Sequence, residues 1–205
     1  MIALHLATRN PGKIREVNRV LDALPGGLHA VLPAGGMPDV EETGATFQAN
    51  ARLKAEALSR KLDGWVLADD SGLAVDALDG EPGVHSARYG ESEHPDLDDA
   101  GRARLLLERL ADVPEAQRTA RFVCVLALAR DGKVEAILDG ICEGQISRTP
   151  RGGGGFGYDP VFVPAGEERT FGELPPEEKD HRSHRAQALA KLAEWFRRRH
   201  EAGGG

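Results

Sequence analysis

Apolar positions along the chain follow two periods, and each predicts elements. Residues 2–7 (IALHLA) form a short apolar run that Asn-Pro-Gly at 10–12 breaks. Ile14, Val17, Val20, Leu21 and Leu24 then recur at helical spacing. This predicts a strand, a turn and a helix. Residues 28–32 read as a second strand, "PAGGMPD" as a loop, and "VEETGAT" as the approach to another helix. Thr46 is its expected N-cap, and Phe47, Ala51, Ala55, Leu58 and Leu62 form its apolar face. Residues 65–68 predict a strand that ends at Asp69-Asp70, Ser71-Gly72 a turn away from it, and residues 73–77 a further strand. Residues 81–96 are a polar loop with Gly and Pro, and residues 98–110 a helix carrying Ala103, Leu106, Leu107 and Leu110 on one face. Residues 121–129 are apolar on both faces, as in a strand covered on both sides. Asp131-Gly132 turns this strand into a partner at 133–146, with Gly140 and Gly144 as expected bulges. "RGGGGFGYDPVF" is a glycine-rich loop running into a short strand, and "PPEEKDHRS" is polar. Ser183 is the expected N-cap of a last helix that buries Leu189, Leu192, Ala193 and Phe196, and residues 201–205 read as a frayed tail.

Helices alternate with strands in the first half and a long hairpin occupies the second. The fold class expected is therefore α/β with a mixed sheet flanked by helices. No internal repeat and no long linker divides the 205 residues, which are enough for one domain, residues 1–205, with a substantial core. Hydrophobic content of 40% and charged content of 29% are those of a soluble globular protein. No apolar run approaches the ~20 residues of a membrane helix, and the N-terminus lacks a basic leader, so a cytoplasmic protein is expected, without a membrane partner. The net charge of −7 argues against a nucleic-acid binder, which needs a basic excess, but leaves room for a small anionic ligand. Cys124 and Cys142 do not face each other in the hairpin register and read as reduced core thiols.

Four stretches carry candidate chemistry. "TRNPGK" (Thr8, Arg9, Asn10, Pro11, Gly12, Lys13) follows a strand and opens a helix, where backbone N–H groups and a lysine attract phosphate. Its glycine spacing is not that of a P-loop, and alone it reads more readily as an ordinary turn. The acids Glu41, Glu42, Asp69 and Asp70 come from two segments, as suits Mg²⁺ held by one or two carboxylates together with phosphate oxygens. Glu41-Glu42 alone would be a solvated loop; Asp69-Asp70, beside an apolar strand, is the better site, because ligands of α/β sheets bind beyond strand C-termini. "GGGGFGYDP" offers Phe156 or Tyr158 to stack on a flat base and Asp159 to accept from ring N–H groups. As a bare motif it is equally a flexible turn with aromatics anchored in the core. "EEKDHRSHRAQAL" clusters the donors Lys179, His184 and Arg185, which would otherwise be surface cations. Together these make a site for a nucleoside triphosphate with Mg²⁺.

In order along the chain, "LATRNPGK", "EETGATFQANARLKA", "ADDSGLAVDALDGEPGVHSARY", "GFGYDPVF" and "SHRAQAL" resemble the motifs of the inosine/xanthosine triphosphate pyrophosphatase family over residues 6–189. The resemblance implies an elongated mixed α/β fold of two lobes with a central cleft, a homodimer, and cleavage of ITP, dITP and XTP to monophosphate and pyrophosphate. It implies that residues 8–13 bind the triphosphate, that Glu41 and Asp70 hold the metal, and that Asp70 is the catalytic proton acceptor. Ser71, Phe156, Gly157, Tyr158, Asp159, Lys179, His184 and Arg185 match its substrate contacts. Arg9 stands where a small residue is common in the family. Two other readings are a pyrophosphatase for modified pyrimidine nucleotides and a nucleotide-binding regulator without turnover.

The expected reaction is in-line attack of water on the α-phosphorus, with pyrophosphate leaving. Residue chemistry alone does not separate Asp69 from Asp70 as the group that orients the water; the resemblance favours Asp70. Donors at Lys179, His184 and Arg185 suit the 6-oxo acceptor of hypoxanthine and xanthine and leave the 6-amino group of adenine unmatched. Guanine shares the 6-oxo group, so these donors do not reject it.

Overall fold

The computed structural model describes residues 1–202. Its strands are β1 (Ile2–Ala7), β2 (Leu28–Val31), β3 (Trp65–Val75), β4 (Thr119–Arg130), β5 (Lys133–Ile146) and β6 (Phe162–Pro164). Its α-helices are α1 (Pro11–Ala23), α2 (Phe47–Ser59), α3 (Asp99–Arg109), α4 (Pro176–Arg182) and α5 (His184–Ala202). The six strands form one sheet in the order β2-β1-β3-β4-β5-β6. β1 runs parallel to β2 and β3, whereas β5 and β6 pair antiparallel, so the sheet is mixed as expected. At the β4–β5 turn Asp131 and Gly132 both have positive φ, 53° and 77°, the backbone that a two-residue Asp-Gly hairpin requires.

The chain divides into two compact units, and β3, β4 and β5 each contribute to both. The first unit comprises Met1–Asp70, Cys124–Gly140 and the chain from His184 onward. Its core joins Leu4, Leu6 and Leu67 of the sheet to Val17 and Leu21 of α1 and to Leu189 and Leu192 of α5. α2 buries Ala51, Ala55 and Leu58, and Thr46 caps it by accepting from the Ala49 N–H at 3.1 Å. The second unit comprises Ser71–Val123 and Ile141–Ser183. Its core gathers Leu73 and Val75, the α3 residues Ala103 and Leu106, and the rings of Phe122, Phe162 and Phe171. Both cysteines are buried free thiols.

The largest departure from the sequence reading is β3. Asp69 and Asp70 do not end a strand, and Ser71-Gly72 do not turn the chain: all four lie inside one continuous strand of 11 residues. Buried carboxylates break the apolar pattern without breaking the strand, because cations neutralise them. At Gly72 an added Cβ would stand 2.3 Å from Ser86 Oγ and 2.6 Å from the Gly83 carbonyl, so close approach rather than a turn explains the glycine. Close approach also accounts for Gly140, against the His184 carbonyl, and Gly144, against the Val163 carbonyl.

Smaller differences have local causes. Leu24 is the C-cap of α1, Leu62 lies beyond the end of α2, and residues 76–78 form a 3₁₀ turn rather than strand. The loop 81–96 contains a 3₁₀ helix, Gly83–Arg88. "PPEEKDH" starts a short helix, α4, where Pro176 stands at its first position and Glu177 and Glu178 favour a helix N-terminus. Ser183, extended between α4 and α5, stands directly before His184, the N-cap position expected for it. Of the tail expected at 201–205, residues 201 and 202 are helical in α5, and 203–205 lie outside the described residues.

Candidate active site

Successive side chains of a strand point to opposite faces, so two adjacent aspartates cannot share one environment. Asp69 meets the cations of α1 and α5. Its Oδ1 lies 2.6 Å from Lys13 Nζ and its Oδ2 2.7 Å from Arg185 Nε. The Cys124 thiol also donates to Oδ2, at 3.5 Å. Burial alone would raise the Asp69 pKa; the charges of Arg185 and Lys13 outweigh it and hold the carboxyl well below its ordinary range. Beside Asp69, burial and that carboxylate push the Cys124 thiol well up, so it stays protonated. Arg185 is fully buried and pairs in turn with the buried Glu16 of α1.

Asp70 meets α2 instead. Lys54 Nζ lies 2.7 Å from its Oδ1, 2.7 Å from Glu42 and 2.9 Å from the Asp69 carbonyl. Asp70 Oδ2 is buried and has no hydrogen-bond partner among the described residues. Burial raises the Asp70 pKa despite the opposing charges of Lys54 and Lys13. The two aspartates are thus sorted: Asp69 has both oxygens engaged, and Asp70 keeps one oxygen open and a raised basicity.

The N-terminal turn is arranged differently from expectation. Asn10 turns its Oδ1 to the helix, capping α1 by accepting from the N–H groups of Gly12 at 2.8 Å and Lys13 at 3.1 Å, and its Nδ2 is the group left to donate. Pro11 has no N–H, so the first turn of α1 presents few open donors. Thr8 Oγ1 accepts from the Asn10 N–H at 3.2 Å, and the exposed Arg9 reaches Asp39 and the Met37 carbonyl. What this turn brings to an anion is the Lys13 charge, the helix dipole, the Asn10 Nδ2 and the Thr8 hydroxyl proton. Glu41 is exposed, whereas Glu42 is engaged by Lys54.

In the second unit, Phe156, Gly157, Tyr158 and Asp159 stand together. Asp159 is buried; its Oδ2 accepts from Lys179 Nζ at 2.5 Å and from the Phe156 N–H at 2.8 Å. Lys179 Nζ also lies 5.1 Å from the centre of the Phe156 ring. Tyr158 is committed to the core, its hydroxyl donating to the Ser86 carbonyl at 2.9 Å, and burial raises its pKa. The Phe156 ring, by contrast, is only half-buried. Ser71 opens this unit's part of β3 and is half-buried. His184, the first residue of α5, is buried in the first unit.

Sequence reasoning missed Lys54, Glu16 and the place of Cys124 beside Asp69, and it did not foresee that the Nε and Nη1 of Arg185 serve Asp69 and Glu16. A signal existed for two of them. Lys54 falls among Ala51, Ala55 and Leu58, and Glu16 among Gly12, Val17 and Val20, each a charge on the buried face of an amphipathic helix. Such a charge is retained only where a buried partner waits.

Among the described residues, no group of three or more His, Cys, Asp or Glu side chains could by itself hold a metal ion. The donor set does fit Mg²⁺, which needs only one or two carboxylates when phosphate oxygens and water complete its shell. The open Oδ2 of Asp70 is the oxygen such an ion would take.

The family model described as Ham1 family matches residues 4–195. The dITP/XTP pyrophosphatase of Geobacillus kaustophilus is 51% identical over 189 residues, which cover 92% of this chain and 91% of that protein. The dITP/XTP pyrophosphatase of Thermosynechococcus vestitus is 48% identical, with 93% of each chain covered. Among solved structures, a HAM1 protein from Coxiella burnetii superposes with a TM-score of 0.84 at 39% identity, covering 97% of this chain and all (100%) of that one.

Proposed function

The chain belongs to the Ham1 family, and from that premise we propose that it is a nucleoside-triphosphate pyrophosphatase that hydrolyses ITP, dITP and XTP to the monophosphate and pyrophosphate. The observation that carries this reading is the pair of unlike aspartates on β3. Asp70 has a buried open oxygen and a raised pKa, and Asp69 is neutralised beside it by Lys13 and Arg185. Binding alone needs no such carboxylate; a water-orienting base does.

Asp70 and the exposed Glu41 would hold Mg²⁺, which when bound supplies positive charge to the phosphate oxygens. Asp70 orients the attacking water and accepts its proton. Lys13, with the dipole of α1, neutralises the pyrophosphate as it leaves, since phosphoryl transfer needs positioning and charge stabilisation more than covalent help. Lys54 fixes Asp70 Oδ1 and so aims the other oxygen. Arg185 holds Asp69, which in turn holds Lys13. In the second unit, Phe156 stacks on the purine, and Lys179, fixed by Asp159, donates to its 6-oxo group. Thr8, Ser71 and His184 are assigned further polar contacts to the nucleotide. A single two-lobed domain, a homodimer and a cytoplasmic site of action complete the proposal, supported by the family resemblance. No helix of the described residues is long and apolar enough to cross a membrane.

The test is pyrophosphate release from ITP, dITP, XTP, dUTP, GTP and ATP in the presence of Mg²⁺. Release confined to the ITP, dITP and XTP arms is expected. Preference for dUTP would point to modified pyrimidines, and binding without release to a regulator; either outcome defeats the proposal.

A further inference from the structure

The two consecutive N–H groups of the Phe156-Gly157 segment are each taken by a carboxylate, and the two carboxylates come from different elements. The Phe156 N–H donates to Asp159 within the loop. The Gly157 N–H donates to Asp99 Oδ2 at 2.9 Å, and Asp99 is the first residue of α3. Gly157 has φ of +61°, a left-handed backbone that reverses the chain between the Phe156 ring and the buried Tyr158. The Asp99 carboxylate is itself aimed: its Oδ1 accepts from Arg102 Nη2 at 2.5 Å, and Arg102 Nη1 donates to the Leu97 carbonyl at 2.5 Å. A helix start needs an acid there only for its dipole, and Asp98 already caps α3 by accepting from the Gly101 N–H at 2.7 Å. The hydrogen bond across 58 positions to a glycine is not part of helix capping.

We propose that Asp99 is a positioning residue for base recognition: it clamps the Gly157 N–H and so holds the Phe156 ring in the orientation that accepts a purine. This rests on the reading of Phe156 as the stacking residue. Asp99 touches neither the phosphates nor the attacking water in that scheme. Its loss therefore weakens binding of the base more than it slows the chemistry.

The experiment compares the full-length wild type with Asp99→Ala, Asp99→Asn and Asp98→Ala, measuring kcat and KM for dITP, melting temperature, and hydrogen exchange of the Gly157 amide. Asp99→Ala is expected to raise KM about three- to tenfold, the scale of one half-exposed charge-assisted hydrogen bond, with kcat within about twofold of wild type. Asp99→Asn, which keeps an acceptor oxygen, restores most of the KM. Asp98→Ala, which removes the N-cap of the same helix, lowers the melting temperature and leaves KM unchanged. Gly157 exchange accelerates in Asp99→Ala alone. An unchanged KM in Asp99→Ala, or an equal rise in Asp98→Ala, overturns the proposal. A wild type that releases no pyrophosphate from dITP defeats the substrate reading instead, and the exchange rate of Gly157 then decides the clamp by itself.

Discussion

Lys54 Nζ lies 2.7 Å from Asp70 Oδ1, while Oδ2 of the same carboxylate is buried without a partner among the described residues. An unsatisfied buried carboxylate oxygen costs stability, so a fold keeps one where function requires it. Asp69, the next residue back, shows the alternative: both its oxygens are engaged, by Lys13 and by Arg185. Strand alternation gives these neighbours opposite faces and hence different partners.

Asp70→Asn should abolish most turnover and spare the fold. Losing a general base costs about 10²–10⁴-fold in rate. Lys54 keeps Glu42 and the Asp69 carbonyl as partners, and the amide of the variant is no less satisfied than the carboxylate it replaces. The expected result is a kcat for ITP at least about a hundredfold down, with a melting temperature within a few degrees of wild type. Retained turnover would show that another residue orients the water.

Asp69→Asn should behave in the opposite sense. Arg185 and Lys13 would lose their shared anion, so that one carboxylate of this cluster, Glu16, would remain for two cations, one of them the fully buried Arg185. Breaking a buried ion pair costs about 3–5 kcal/mol. For a chain of this size that is a fall of roughly 10 °C in melting temperature. Thermal unfolding followed by circular dichroism checks it. A melting temperature like that of Asp70→Asn would mean that the network around Asp69 carries no stability.

Much of this was legible in the sequence. The helical spacing of Val17, Val20 and Leu21, the Asp-Gly turn at 131–132 and the N-cap Thr46 are local signals, and local signals report local structure. The shared motifs pointed to Lys13, Asp70, Phe156 and Lys179, the residues on which the proposed site rests. Three things were not legible. The break expected at Ser71-Gly72 followed from reading two aspartates as a strand terminus, whereas Lys13, Lys54 and Arg185, distant in sequence, make a buried pair tolerable. Arg185 reads as a substrate donor or a surface cation, and its pairing with Asp69 and Glu16 shows only in the structure. That Asn10 caps its own helix through Oδ1 shows only in the structure.

Gly72→Ala should destabilise the protein through a backbone conflict that no neighbouring substitution relieves. The new Cβ would meet Ser86 Oγ at 2.3 Å and the Gly83 carbonyl at 2.6 Å. Overpacking of this kind costs about 1–3 kcal/mol. Combining it with Ser86→Ala removes the hydroxyl contact but not the carbonyl one, and it strips the Leu73 N–H of its acceptor. The double variant should therefore melt no higher than Gly72→Ala. Recovery toward wild type would place the whole conflict on the hydroxyl.

Chelation and carboxylate substitution together should identify the metal-holding residues. Treatment with EDTA is expected to stop pyrophosphate release, and added Mg²⁺ to restore it. The two glutamates before α2 then separate by what engages them. Glu42 is bound by Lys54, so Glu42→Gln perturbs Asp70 through that lysine and should lower kcat with little change in the Mg²⁺ needed for half-maximal rate. Glu41 is exposed, so its carboxylate is available to an ion. Mg²⁺ is held by few protein carboxylates, so each counts heavily. Glu41→Gln should raise the half-maximal Mg²⁺ concentration by about tenfold or more while kcat at saturating Mg²⁺ stays within about threefold of wild type. If Glu42→Gln moves the Mg²⁺ midpoint and Glu41→Gln does not, Glu42 is the ligand, and Lys54 must release it when the ion binds.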